Sequence, residues 1–475
     1  MYGLCVEKRA EDEKGVDSLT DRGCKKPYIH FLSNAAVDVT GSCHHVRFKK
    51  YSILLDCGMI QGLGDIVSDY KANLAQLKKI KPRDVDFIIL NHSHLDHIGL
   101  APALYAKGCN AHLYVPSGST DFLKLLWEDS LKIMRADCLK IQNKHGQKAA
   151  PFYDEQAIER ALNRIIEVDY NTPIQLASDI KLTYYPAGHI INSAQCVLEL
   201  KDGYVTKRIG FTSDIGGASE RPYKARRQPL PFVDILISEC TYCQQGRPNS
   251  PKDRDKDIEK IKTVIAESNK ILIPCFSLDR TQSMLRLLYD EGVDKQIKIY
   301  LDSPLASKFC AIWPWEEDEL ENVRIVESQE ESLNLQMRNE HCLIISASGF
   351  LVGGRIMSHL KTALSDSRNH ILFCGFAGEN GLAAQIKSNM PEVNIDGVNV
   401  ANKANITELR SFSSHASYEE LIDYLTNQCR FNKLCLVHGN YENKVEFAQT
   451  LQDELIKQGK SSRVVCTQQD QKVYF

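Results

Sequence analysis

The stretch FIILNHSHLDHIG, residues 87–99, decides how the rest of the chain is read. Its apolar opening suits a short strand buried on both faces. The chain then turns abruptly polar, and His92, His94, Asp96 and His97 follow within six residues. A loop leaving a buried strand can turn His92 and His94 toward one cation. The next turn can direct Asp96 and His97 toward a second cation a few Å away. Neutral imidazoles and carboxylates are the donors that zinc takes in catalytic sites, and manganese or iron accepts the same set. Two cations need more donors, and these must come from other strand ends. His189 in TYYPAGHIINSA, Asp214 in IGFTSDIGG and His438 in CLVHGN each stand where an extended stretch runs into a glycine turn. A lone histidine after a strand is more simply a hydrogen-bonded structural residue. The shared context raises all three together.

Outward from this loop, short runs rich in Ile, Val and Leu recur. They begin at Tyr28, Tyr51, Val85, Val233, Lys270, Cys342, His370 and Lys433. Between them lie stretches with apolar residues at three-to-four spacing, beginning at Asp257, Arg280, Gly353 and Ser417. Ser417 followed by Glu420 has the pattern of a capping box. Such alternation predicts layered α/β architecture with helices outside sheets. Unusual polar residues stand just after the strands: Asp56, His92, Glu239 and His438. Open α/β sheets bind ligands at the carboxyl ends of their strands, so these positions point to one composite site. Proline-containing turns on either side of VDILISECTY mark a candidate domain boundary near residue 240.

Composition sets the outer bounds. The chain has 475 residues, 43% apolar and 25% charged, with a net charge of −3. That is ordinary for a globular protein and excludes wholesale disorder. No apolar run approaches the ~18 residues of a membrane helix, and the first residues lack the pattern of a secretory signal. No membrane partner is expected. Several of the 16 cysteines sit inside apolar runs, where free thiols pack as small hydrophobes. Reduced thiols imply a reducing compartment, cytoplasmic or, in a eukaryote, nuclear. A near-zero net charge argues against a wholly basic nucleic-acid coat but leaves room for a local basic groove.

The H-x-H-x-D-H loop, the later GH and the SD in a glycine turn resemble the metallo-β-lactamase fold. The remainder resembles its β-CASP branch, nucleases acting on phosphodiesters. LLDCG with Asp56, SECTY with Glu239, RSFSSHAS with His415 and LVHGN with His438 match the branch's motifs in order. PCFSLDRTQSML, DSPLA, SGFLVGGRI and GFAGENGL are similar to stretches of its inserted domain. The match runs from about Tyr28 to the last residues, in the compact style of prokaryotic members, and is similar to the pre-mRNA 3′-end-processing endonuclease. The resemblance implies an αββα metallo-β-lactamase sandwich from residues 27–240 and 405–475. An inserted α/β β-CASP domain would span 241–404, and residues 1–26 would form an N-terminal arm.

Carried over residue by residue, the resemblance implies that His92, His94 and His189 hold one divalent metal ion. Asp96, His97 and His438 would hold the other, and Asp214 would bridge them. Asp56 would orient a histidine or the loop. A hydroxide shared by the two ions, zinc before manganese or iron, would attack phosphorus. His415 would protonate the leaving alkoxide, with Glu239 holding its ring and raising its pKa. A histidine at position 438 resembles the RNA-acting members, so the implied activity is endo- or 5′-exonucleolytic hydrolysis of RNA, leaving a 5′-phosphate. Partners would be RNA and a second copy or a larger RNA-processing complex. The chain departs from the common pattern at Thr212-Ser213, where many relatives carry Ser-Gly, but no ligand position is lost.

Weaker features surround this core. Arg221, Lys224, Arg226 and Arg227 follow Asp214 closely and could neutralise phosphates, or form a solvated loop. Gly353, Gly354 and Arg355 precede a predicted helix and suggest a phosphate cradle, or a helix-entry turn. Ser413 and Ser414 could contact phosphate oxygens or cap the following helix. Cys240 and Cys243 form a CxxC without a second pair, which argues against a zinc ribbon. Two rival readings remain: a thioester or lactone hydrolase on the same fold, which would need neither Glu239 nor His415, and a non-catalytic RNA-binding subunit, which would have lost ligands.

Overall fold

The apolar runs form strands because their Ile, Val and Leu side chains can be buried on both faces. The structure, a computed structural model, describes residues 26–217, 223–246, 251–375 and 381–475. All but the last residue of the expected N-terminal arm, and Arg221 of the basic loop, lie outside the described residues.

Two seven-stranded sheets face each other. The first runs in the order Lys472–Tyr474, Tyr28–Phe31, His44–Phe48, Tyr51–Leu55, Phe87–Ile89, His112–Pro116 and Ile165–Val168. It is antiparallel as far as Tyr51–Leu55 and parallel beyond it. The second runs Arg463–Cys466, Phe431–Val437, Val233–Glu239, Val205–Phe211, Ala194–Asp202, Ile180–Pro186 and Ile174–Ala177. Its first four strands are parallel and the rest antiparallel.

Phe31, Ile53 and Leu55 of the first sheet pack against Leu182, Tyr184, Leu198, Phe211 and Ile237 of the second. The outer face of the first sheet is covered by helices, with Leu54, Ile88 and Leu113 against Leu104, Leu123 and Trp127. The outer face of the second carries Tyr424, Leu425, Phe447 and Leu451 over Leu236 and Leu434. The result is the expected four-layer αββα sandwich.

A third, six-stranded sheet is wholly parallel, in the order Val323–Ile325, Lys298–Leu301, Cys342–Ser346, Lys270–Pro274, His370–Phe373 and Asn405–Glu408. Both faces are buried in separate apolar clusters, as parallel sheets require. The expected helices are Pro251–Glu267, Arg280–Asp290, Arg355–Ala363 and Tyr418–Asp423. The last carries the complete Ser417/Glu420 capping box. Two differences stand out. Residues 405–408, expected to open the return to the sandwich, instead pair with His370–Phe373 as an edge strand of the inserted sheet. The chain therefore crosses back after Glu408. The 26-residue helix Thr120–His145 was not among the expected elements. Its buried Phe122, Leu123, Leu126, Trp127, Leu131 and Met134 have helical spacing.

Trp127 of that helix donates to the Ile98 carbonyl at 3.0 Å and so pins the end of the His/Asp loop. The other side of the loop is held by backbone pairing: Cys57 N donates to His97 O, Met59 N to Leu95 O, and Ser42 N to Asp96 O. This contact is close enough to require glycine at position 58, where a Cβ would stand 1.6 Å from the Asp96 carbonyl oxygen. Neither partner is a flexible side chain, so relief demands a backbone shift. Gly58→Ala should lower stability by about 3 kcal/mol or more, seen as a reduced midpoint in denaturant unfolding; an unchanged midpoint would contradict the packing described.

Candidate metal centre

Five strand ends deliver the polar residues to one place. The loop after Phe87–Ile89 brings His92, His94, Asp96 and His97, with His94 at the entry of the short helix Leu95–Ile98. His189 follows Ile180–Pro186, and its backbone N–H is held by Ser193 Oγ at 3.0 Å. Asp214 follows Val205–Phe211, Glu239 ends Val233–Glu239, and His438 follows Phe431–Val437. Asp56, Ser213 and His438 have φ of 58°, 49° and 53°. Such left-handed conformations in non-glycine residues are uncommon and cluster at functional sites.

Asp214 stands at the centre with one oxygen toward each group of histidines. Its Oδ2 lies 3.6 Å from both His92 Nε2 and His189 Nε2. Its Oδ1 lies 3.3 Å from His97 Nε2 and 3.4 Å from His438 Nδ1. His94 Nδ1 is 3.2 Å from His189 Nε2, and Asp96 Oδ2 is 3.2 Å from His438 Nε2. Donor atoms of His92, His94, His189 and Asp214 converge within 4.8 Å, as do those of Asp96, His97, His438 and Asp214. All seven residues expected to be ligands are thus brought together in two groups that share Asp214.

The donor set fits cations. Among the described residues His92 Nε2, His97 Nε2 and Asp214 Oδ1 are buried without a hydrogen-bond partner. Each such atom costs about 1–3 kcal/mol unless something else satisfies it. Burial pushes His92, His94 and His189 below the usual histidine range, which keeps them neutral and able to ligate. Burial also acts to lower His97 and His438, but neighbouring Asp214 and Asp96 overcome it and raise both. These carboxylates favour positive charge beside them, from a proton or from a bound ion.

Asp56 is fully buried and binds this loop together. Its Oδ2 accepts from His97 Nδ1 at 2.7 Å and Ser42 Oγ at 3.1 Å, and its Oδ1 from Asn91 Nδ2 at 3.2 Å. His415 lies beside the first histidine group, its ring 4.5 Å from that of His189. Its Nδ1 is 3.1 Å from both oxygens of Glu239, while Nε2 points toward Asp214 Oδ2 at 3.9 Å. Glu239 is held in turn by the N–H groups of Ile215 and Thr241, at 2.6 and 3.2 Å. Burial opposes protonation of His415, but the charge and hydrogen bonds of Glu239 raise its pKa to about 9.

The remaining expected residues are placed less uniformly. Arg226 is exposed. Arg227 is buried, donates to the Gly216 carbonyl at 2.7 Å and stacks over Tyr424, so it braces the turn behind Asp214 and does not line a groove. Arg355 is likewise committed, to Asp302 Oδ1 at 2.7 Å and to two carbonyls, so it does not join Gly353 and Gly354 in a phosphate cradle. Ser413 donates to Tyr242 at 2.8 Å, and Ser414 to Asp279 at 3.0 Å. Both stand beside His415, and Ser413 Oγ also accepts from the His415 N–H at 3.2 Å. Sequence reasoning did not single out Ser213, Thr241 or Asp279 as parts of the site, and it took Lys224 for a groove cation. Lys224 donates to Asp279 Oδ2 at 2.7 Å and to the His189 carbonyl at 2.9 Å, both side chains being buried. Nothing local in the sequence marks a pair separated by 55 residues.

Comparison with known proteins agrees with this geometry. Residues 37–144 match the model of the metallo-beta-lactamase superfamily, residues 281–386 the Beta-Casp domain, and residues 399–460 the Zn-dependent metallo-hydrolase RNA specificity domain. Ribonuclease TTHA0252 of Thermus thermophilus is 30% identical over 88% of this chain and 94% of its own length. An RNase J-like protein of Methanocaldococcus jannaschii is 28% identical over 86% and 92%. A transcription termination factor FttA of Methanosarcina mazei is 26% identical over 95% and 73%. The crystal structure of a protein of unknown function from Enterococcus faecalis shares the fold, with a TM-score of 0.55 at 12% identity, covering 95% of this chain and all of that one. A sandwich interrupted by a parallel inserted sheet, His/Asp groups gathered at its strand ends, and a near full-length relative at this identity lead to one conclusion: the chain belongs to the β-CASP family of the metallo-β-lactamase superfamily.

Proposed function

We propose that this protein is a metal-dependent ribonuclease that hydrolyses RNA phosphodiester bonds at the centre built around Asp214. The observation that carries the reading is the division of the Asp214 carboxylate, one oxygen toward His92 and His189 and the other toward His97 and His438. His92, His94 and His189 would hold one ion, and Asp96, His97 and His438 the other, with Asp214 shared. Zinc suits a set of imidazoles and carboxylates, and the family model over residues 399–460 is described as Zn-dependent. Two such ions supply Lewis acidity and an acidified water as nucleophile.

The protein's own residues do the rest. Asp56 fixes the His97 ring through Nδ1, so that Nε2 faces Asp214. Glu239 holds Nδ1 of His415 and leaves Nε2 turned to the centre. That nitrogen can deliver a proton to a leaving alkoxide, because Glu239 occupies the other ring nitrogen and favours the protonated ring. RNA as substrate is supported by His438, by the RNA-specificity model at residues 399–460, and by relatives named ribonucleases. The intact ligand set argues against a purely scaffolding role. The His415–Glu239 pair argues against a small-molecule esterase on this fold, which would have no need of it.

His94→Ala should lower bound zinc, measured by elemental analysis, and reduce cleavage of end-labelled RNA by roughly 100-fold or more. His415→Ala should retain zinc and lose roughly 100- to 10,000-fold in rate; full activity would remove the assigned proton donor and favour the esterase reading. The raised pKa of His415 keeps it protonated through neutral pH. Cleavage should therefore decline only as pH rises through about 9, and Glu239→Gln should move that decline to lower pH in a pH–rate profile.

A further inference from the structure

Ser213 occupies an unexpected place. Its backbone has φ 49°, a region that favours glycine. A side chain is nevertheless present and 2% exposed. Its hydroxyl touches three groups: His92 Nδ1 at 3.2 Å, His97 Nδ1 at 3.3 Å and Asp56 Oδ2 at 3.4 Å.

The hydrogen-bond arithmetic of this cluster is restrictive. If Nε2 of His92 and of His97 face cations, both Nδ1 atoms must carry protons and must donate. His97 Nδ1–H has Asp56 Oδ2 at 2.7 Å. For His92 Nδ1–H the Ser213 oxygen at 3.2 Å is the acceptor at hand. The hydroxyl proton is then free to donate onward to Asp56 Oδ2. The chain of donors runs from His92 Nδ1–H to Ser213 Oγ–H to Asp56, and from His97 Nδ1–H to the same carboxylate. One buried carboxylate thereby orients a histidine in each metal group, directly for His97 and through Ser213 for His92.

We propose that Ser213 is a positioning residue that extends the hold of Asp56 from His97 to His92, fixing the tautomer and ring angle of a ligand on the far side of the centre. The inference rests on the metal reading given above. Outer partners of metal-bound histidines generally affect affinity by about 10- to 100-fold. Loss of the hydroxyl should act chiefly on the group that contains His92, because His97 keeps its shorter bond to Asp56 at 2.7 Å without it.

The test follows release of zinc from the loaded, full-length protein to a chromophoric chelator, resolving the two equivalents. In Ser213→Ala one equivalent should be released at roughly 10- to 100-fold lower chelator strength, with the other little changed. Ser213→Gly relieves the left-handed backbone and also lacks the hydroxyl, and it should show the same loss with unchanged or higher thermal stability. In a His94→Ala background, which has already lost the first equivalent, adding Ser213→Ala should not alter the second. If both Ser213 variants retain zinc as the wild type does, the inference is overturned. If Ala loosens zinc and Gly does not, backbone strain and not the hydroxyl is responsible, and the inference is overturned as well. A wild-type protein that binds no zinc, manganese or iron would sink the metal reading itself, a separate and recognisable result.

Discussion

A buried carboxylate between two sets of imidazoles is the constraint on which this molecule turns. Asp214 is 2% exposed, and burial alone would push its pKa up. The positive potential of His438, His97 and His415 instead pulls it well below the usual carboxylate range. Charge in a dry interior is costly unless it is paired. The centre solves this by placing each oxygen opposite its own pair of ring nitrogens. Everything that holds those rings, from Asp56 to Glu239, serves that arrangement.

The fold makes the arrangement geometrically possible. Both sheets of the sandwich are part parallel and part antiparallel, and the parallel strands of each end at a common edge. Parallel strands present their carboxyl ends together, where loops are free to carry polar groups. Helices on the two outer faces bury the remaining apolar surface and hold the loops from behind, as Trp127 does for the segment ending at Ile98. Close backbone approach at Gly58 fixes how far the His/Asp loop can move.

The inserted sheet is tied to this edge by a buried ion pair. Lys224, from the sandwich, meets Asp279 at the entry of the helix Arg280–Asp290, and both reach Ser414 just before His415. Burial would raise the Asp279 carboxyl, but Lys224 holds it below its ordinary range. Lys224 also binds the His189 carbonyl. The pair thus links the inserted sheet both to a histidine of the centre and to the segment that carries His415. Breaking such a pair on one side leaves an uncompensated buried charge, which makes it a joint between the two parts of the chain.

Much of this was legible in the amino-acid order. The strand periodicity, the dense His/Asp run at 92–97 and the strand-end position of Asp56, Glu239 and His438 are local features, because a short strand and the turn after it are specified by neighbouring residues. Local pattern also misled. The glycines and arginine at 353–355 look like a phosphate cradle, yet Arg355 is claimed by Asp302, a residue 53 positions away. Arg227 looks like a groove cation, yet Tyr424 and Gly216 claim it. The edge strand at 405–408 reads as the start of the return, and only pairing with His370–Phe373 assigns it to the inserted sheet. The amino-acid order determined which His, Asp and Glu residues stand at the strand ends. Tertiary structure alone decided which oxygen of Asp214 faces which histidines, that Ser213 joins His92 to Asp56, and that Lys224 meets Asp279. Hydrogen bonds and buried ion pairs depend on a few tenths of an ångström between atoms far apart in the chain, and no local spacing encodes that distance.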